Sequence, residues 1–145
     1  MTRASNKTMQ LAGQAATLSG ELYALQERCK HESTAGEMSS VADELARLST
    51  TLWTLNDAIT TSPDQYTDAF NEDLAEITTE LASVIEEISD CCNDLQSADS
   101  TTSSVPWFFK QGRVSRLVKH LDALKGTLMI MRTVLFHGKD YGTHK

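Results

Sequence analysis

The sequence is poor in the residues that punctuate most folds. Its 145 residues include two prolines, seven glycines and only nine aromatics. An all-β sandwich or barrel needs turn formers roughly every ten residues, so this scarcity excludes one. No apolar run approaches the length of about 18 residues that a membrane-spanning helix requires. The opening stretch, Met1 to Lys7, lacks the apolar core of a secretory signal. Three cysteines, two of them adjacent, make no disulfide framework. The expectation is a reduced protein of the cytoplasm. Also missing are a glycine-rich phosphate loop, a G-x-S-x-G elbow and an H-E-x-x-H pair.

Positive charge is absent from a long central region. Between Leu48 and Phe109 there are twelve acidic residues and no lysine or arginine. From Lys110 to Lys145 there are eight basic residues against Asp122 and Asp140, within a chain of net charge −7. An acidic helix and a basic helix in one small domain can pair across a packed interface, each exposed pair contributing at most about 1 kcal/mol. The alternative use of the basic face, Lys110, Arg113, Arg116 and Lys119, is contact with an acidic partner or an anionic membrane surface. Nucleic acid is not an expected partner, because the whole chain is acidic and holds no nucleic-acid-binding motif.

What the sequence does hold is a repeated apolar rhythm. Leu11, Ala15, Leu18, Leu22, Leu25 and Cys29 are spaced alternately by four and three, one face of a helix over about residues 8–29. Gly13, Ala16, Ser19 and Gly20 thin its first half, suiting close packing against a neighbour within the bundle, with another copy of the chain as the alternative use. Val41, Leu45, Leu48, Leu52, Leu55 and Ile59 predict a second helix over about 38–61, with Trp53 beside the stripe. Thr34 with Glu37, or Ser40 with Asp43, fits a capping box at its start. Ser62-Pro63-Asp64-Gln65 then reads as a short restart, which makes the second and third helices antiparallel neighbours.

The third predicted helix, 63–97, has the stripe Tyr66, Phe70, Leu74, Ile77, Leu81, Val84, Ile88, Cys91 and Leu95. Its other side bears Asp68, Glu72, Glu76, Glu80, Glu87 and Asp94. These acids read as a solvated face, because a carboxylate-bundle metal site wants Glu-x-x-His motifs pointing inward. Residues 97–104 form a polar, flexible linker. Val114, Leu117, Leu121, Leu124, Leu128, Met131 and Leu135 continue the rhythm and predict a fourth helix over about 111–137. Pro106 disfavours helix just before it, so Trp107, Phe108 and Phe109 are expected to cap one end of the core. The fold expected is all-α: an antiparallel four-helix bundle in one domain, with Leu117, Leu121, Leu124 and Leu128 in its core.

No constellation of reactive residues reaches motif quality. Cys91 and Cys92 are adjacent on a helix, so their side chains diverge by about 100°, and Cys91 reads as a core residue. Cys29 and His31 have no third or fourth ligand at suitable spacing. His120 and His137 lie on the basic helix without an acid or nucleophile at motif spacing. The sequence therefore predicts no catalytic residue, no metal, no cofactor and no small-molecule substrate.

The segment Val105-Pro106-Trp107-Phe108-Phe109-Lys110-Gln111-Gly112-Arg113-Val114 carries a resemblance. With the helix order before it, it resembles the fungal N-terminal helical domains found at the front of ankyrin-repeat and NACHT-type proteins. There a Trp-Pro-Phe-Lys segment precedes a Leu-x-x-Leu-x-x-x-Lys helix. Leu117, Leu121 and Leu124-Lys125 stand in the corresponding region here, with Lys125 directly after Leu124 instead of four residues on, and the resemblance spans about Leu11 to Leu135. Proline precedes tryptophan in this chain instead of following it, and a polar Met1–Lys7 replaces the usual apolar start. Only the helical segment of those proteins has a counterpart in this sequence. The family is similar to the HeLo-like bundles, and the resemblance implies a signalling domain with no catalytic residues. It associates with a protein partner or with itself, or alternatively acts on membranes as a cell-death executioner.

Overall fold

The computed structural model describes residues 3–28, 32–61, 67–96 and 104–136, with side chains over 7–27, 34–61, 67–93 and 111–133. They form four α-helices: α1 (Arg3–Arg28), α2 (Glu32–Thr61), α3 (Asp68–Gln96) and α4 (Ser104–Phe136). No strand occurs among the described residues, and the fold is an all-α four-helix bundle. The apolar stripes are its core. Leu22, Leu45, Leu52, Leu74, Leu81 and Leu121 have no solvent-accessible surface. Each such side chain contributes about 1.5–3 kcal/mol by leaving water.

Helix boundaries depart from expectation where polar residues were read as stops. α2 begins at Glu32, so both candidate capping boxes lie inside the helix. The Ser40 hydroxyl donates to its own helix, at Gly36 O, 3.1 Å away. A serine can satisfy itself this way mid-helix, which is why a hydroxyl alone does not mark a terminus. α1 likewise begins at Arg3, and Thr8 is an interior, buried residue. α4 begins at Ser104, seven residues ahead of the expected start. Pro106 then lies in its first turn, where the missing N–H has no intrahelical partner to lose. Trp107, Phe108 and Phe109 are consequently residues of the helix, not a segment ahead of it, and their side chains lie outside the described residues.

The start of α3 is capped by Thr67. Its Oγ1 accepts from Phe70 N at 3.2 Å, its carbonyl accepts from Asn71 N at 3.1 Å, and Asp68 follows with a charge suited to the helix dipole. The predicted restart at Ser62-Pro63-Asp64-Gln65 lies outside the described residues, as do Cys29, His31, His137 and the polar linker up to Ser103.

The order of helices around the bundle also differs from expectation. α1 packs on α2 and α3, while α4 packs on α3 and α2. The second and third helices therefore lie on a diagonal and are not the predicted neighbours. The bundle is two antiparallel hairpins, α1/α2 and α3/α4, stacked with like-directed helices side by side. Along α1 and α3, Lys7 meets Thr79 and Glu21 meets Cys92, both numbers rising together. A short joint limits only the distance between helix ends, which a diagonal also satisfies.

The α1/α2 hairpin is much the more intimate. Ala12, Ala15 and Ser19 of α1 and Ala42 and Ser49 of α2 are buried along the seam. Ser19 Oγ donates to Ala42 O at 2.7 Å, and Ser49 Oγ donates to Ala12 O at 2.8 Å. A hydroxyl one bond from Cβ reaches a neighbouring helix only when the axes are at the near end of the usual range of about 8–10 Å. Gly13 and Gly20 are not the source of this approach: both face outward, and a Cβ at either would meet no atom within 4 Å.

Two kinds of core substitution follow. Leu81→Ala and Leu121→Ala should each lower unfolding free energy by about 2–5 kcal/mol. Ala42→Leu, which enlarges the side chain, should cost about 1–3 kcal/mol by forcing the seam apart. Urea unfolding followed by circular dichroism measures both, and a neutral Ala42→Leu would contradict the close approach.

Candidate functional site

The residues singled out in the sequence occupy different sides of α4. Leu121 and Leu128 are buried, and Leu117 and Leu124 are partly buried against the core. Arg113 faces α3, where its Nη2 lies 3.4 Å from Glu87 Oε2, both side chains nearly half exposed. His120 Nε2 lies 3.2 Å from Glu80 Oε2 one heptad along. Part of the acidic row on α3 is therefore an inter-helix edge and not a solvated face. Arg116 and Lys119 are exposed and form no ion pair among the described residues. The Lys110 side chain lies outside them. Arg113 is thus set apart, on the α3 edge, from Arg116 and Lys119.

Lys125, unlike Arg113, lies against α2 and not beside the acids of α3. Its Nζ donates to Glu44 Oε1 at 2.7 Å, and the two side chains are only 13% and 12% exposed. Asp122 approaches the same ammonium at 3.3 Å, and Arg47 approaches Glu44 at 3.4 Å. A long side chain leans toward the N-terminus of its own helix, so Lys125 reaches an acid on the parallel neighbour. Burial alone draws this lysine's pKa down, but the Glu44 bond and charge, with Asp122, outweigh it and hold the pKa above 10.5.

On the α1/α2 edge, the Tyr23 hydroxyl donates to Asp43 Oδ1. That bond, then burial and the carboxylate's charge, push the phenol above its ordinary value of 10.0. Neither Tyr23 nor the serine seam was legible as a feature, because an isolated tyrosine and two serines have no periodic signature. Ala12 to Ser19 and Ala42 to Ser49 are each seven residues apart, however, and that shared interval was the available signal.

Among the described residues, reactive groups are not assembled. Cys91 and Cys92 are both buried, and neither forms a disulfide. Burial, followed by the neighbouring Cys91 and Glu21, pushes the Cys92 thiol up to about 12, the opposite of an activated nucleophile. Among the described residues, no three His, Cys, Asp or Glu side chains converge to hold a metal ion. No helix of the described residues is long and apolar enough to cross a membrane.

Two grooves between the hairpins are open among the described residues. One, of about 700 Å³, lies between α2 and α4, with Val41, Val114 and Val118 inside and Glu44, Arg47 and Lys119 at its edges. The other, of about 650 Å³, lies between α1 and α3. On α4, Met129 is 53% exposed and Ile130 is 67% exposed. Comparison with protein-family models, with curated proteins and with solved structures returned no match.

The pairings set two expectations. Tyr23 and Lys125 both have raised pKa values in the fold, so the unfolded chain loses these protons first as pH rises. Their stabilisation is complete below about pH 10 and is lost as pH climbs through the folded values. Urea midpoints should therefore fall above about pH 10, and the double variant Tyr23→Phe, Lys125→Met should flatten the fall. Charge reversal at Arg116 and Lys119 should leave stability within about 0.5 kcal/mol, whereas Lys125→Met should lower it by about 1–3 kcal/mol by stranding Glu44. Thermal melts of the three proteins check this ordering.

Proposed function

We propose that this chain is a non-catalytic helical interaction domain, acting in the cytoplasm by association with a protein surface. The fungal N-terminal helical domains that it resembles supply the type. The observation that carries the reading is the outward side of α4, which places unpaired Arg116 and Lys119 on the same helix as exposed Met129 and Ile130. Exposed apolar and charged side chains along one helix are the kind of surface that a protein partner covers. Buried, unactivated thiols and the absence of a reactive cluster among the described residues support a role without chemistry.

The HeLo-like membrane-acting reading draws on the same side of the helix, since basic and apolar residues together also suit an anionic surface. A dye-release assay on vesicles of anionic phospholipid separates the two when run beside light scattering on the same sample. No release at any protein-to-lipid ratio, together with association in solution, is the expected result. Release that is lost in an Ile130→Glu variant would replace the association reading by the membrane one.

A further inference from the structure

The two grooves between the hairpins are not equivalent. In the α2–α4 groove the acids Glu44 and Asp43 are already engaged, Glu44 with Lys125 and Arg47, and Asp43 with Tyr23, and the charge left over at its edge is the base Lys119. The α1–α3 groove is different. Its floor is Gly13, Leu18, Ala82 and Ile85, and its rim carries Glu21 and Glu86 with no cation among its lining residues. Asp90, one turn beyond Glu86, is exposed and forms no ion pair among the described residues. The groove therefore has an acidic end, toward the C-termini of α1 and α3, and a small-residue end near Gln10 and Gly13, one turn beyond which Lys7 donates from α1 to Thr79 of α3.

The outer face of α4 has the complementary pattern. Arg116, Lys119, Ala123, Gly126 and Ile130 follow one another at intervals of three and four, a second stripe distinct from the core stripe of the same helix. Its first two members are exposed, unpaired bases, its middle two are small, and its last is the most exposed large apolar side chain described. The stripe is about 21 Å long and the α1 side of the groove about 17 Å, at 1.5 Å per residue.

We propose that the α1–α3 groove receives the outer face of α4 from a second copy of this chain, antiparallel to α1. This deepens the association reading above by naming the partner, and it rests on that reading. Antiparallel seating places Arg116 and Lys119 against Glu21 and Glu86 and lays Ala123 and Gly126 over Thr17 and Gly13. Ile130 then covers the small-residue end beside Gln10. The parallel alternative sets Ile130 among the carboxylates and leaves both bases without acids. Antiparallel helices also oppose their dipoles favourably. Nothing in the fold obstructs the approach, since a Cβ at Gly13 would meet no atom within 4 Å.

The contact is heterologous: one copy offers α4 and the next offers α1 with α3. α1 and α4 lie on a diagonal of the bundle, so both surfaces of a copy are open at once and association continues beyond a dimer.

Sedimentation equilibrium on the whole chain tests this with two blocked variants. Gly13→Trp fills the groove, and Arg116→Glu with Lys119→Glu reverses the charge of the face. The wild-type mass should rise past that of a dimer with concentration, and the association should weaken about tenfold or more between about 0.05 and about 0.5 M salt. Each variant alone should remain a monomer. Their equimolar mixture should form a dimer and stop there, because each retains one working surface. That recovery also establishes that both variants are folded. Gly13→Ala, adding one methyl group, should associate like wild type. A wild-type chain still monomeric at about 0.5 mM would overturn the proposal, as would a mixture no heavier than its components. Either result combined with silent vesicles would sink self-association while leaving a different protein partner in place.

Discussion

The close approach of α1 and α2 is the constraint on which the rest of the bundle depends. It is made by side chains too small to hold the helices apart, Ala12, Ala15, Ser19, Ala42 and Ser49, and it is fixed in register by two hydroxyl-to-carbonyl bonds. A shift of either helix along its axis strands two buried hydroxyls, each worth about 1–3 kcal/mol when unsatisfied. Leucine stripes alone tolerate such sliding far better, because their contacts are non-directional. The seam converts one pair of helices into a rigid unit, and the second hairpin then packs on that unit through larger side chains. Larger side chains keep axes apart, and the two grooves between hairpins are the space that results.

Much of this was legible in the apolar spacing. The four stripes identify the helices and the core because burial on one side of a helix imposes the same period wherever it occurs. Leu22, Leu48, Leu81 and Leu121 lie where the rhythm puts them. The errors arose where one residue type has two uses. Serine and threonine serve equally as caps and as side chains bonded back to their own helix, and α2 takes the second use at Ser40, Thr50, Thr51 and Thr54. Glycine was read as the residue of close approach, but alanine achieves it without losing helix propensity. Helix order is not encoded in the stripes at all, since a core-facing stripe is the same whichever neighbour completes the core. The candidate surface was legible as composition, in the basic residues of α4, but not as geometry. Which of them face α3, α2 or water depends on that order.

The partition of charge takes on a definite form in the fold. Pairing across α3 and α4 uses Arg113 with Glu87 and His120 with Glu80, both at exposed edges where salt and water weaken them. Among the described residues, the one cationic tie at depth, Lys125 with Glu44, joins the two hairpins instead. Among the described residues without an ion pair are the bases Arg116 and Lys119 on the outside of α4 and the acids Glu21, Glu86 and Asp90 at the end of α1 and along α3. In the proposed head-to-tail contact these two sets meet by translation, not by reflection.

Cys92 has a consequence of a different kind. Its thiol sits inside the contact between α3 and α1, 1% exposed, with its pKa pushed up to about 12. Intrinsic reactivity in the closed bundle is negligible, because both the thiolate fraction and the access of a reagent are suppressed. Alkylation at this position therefore proceeds through the fraction of molecules in which α3 has parted from α1. Its rate is a clock for opening of the hairpin–hairpin interface, carried by the native chain without any introduced label.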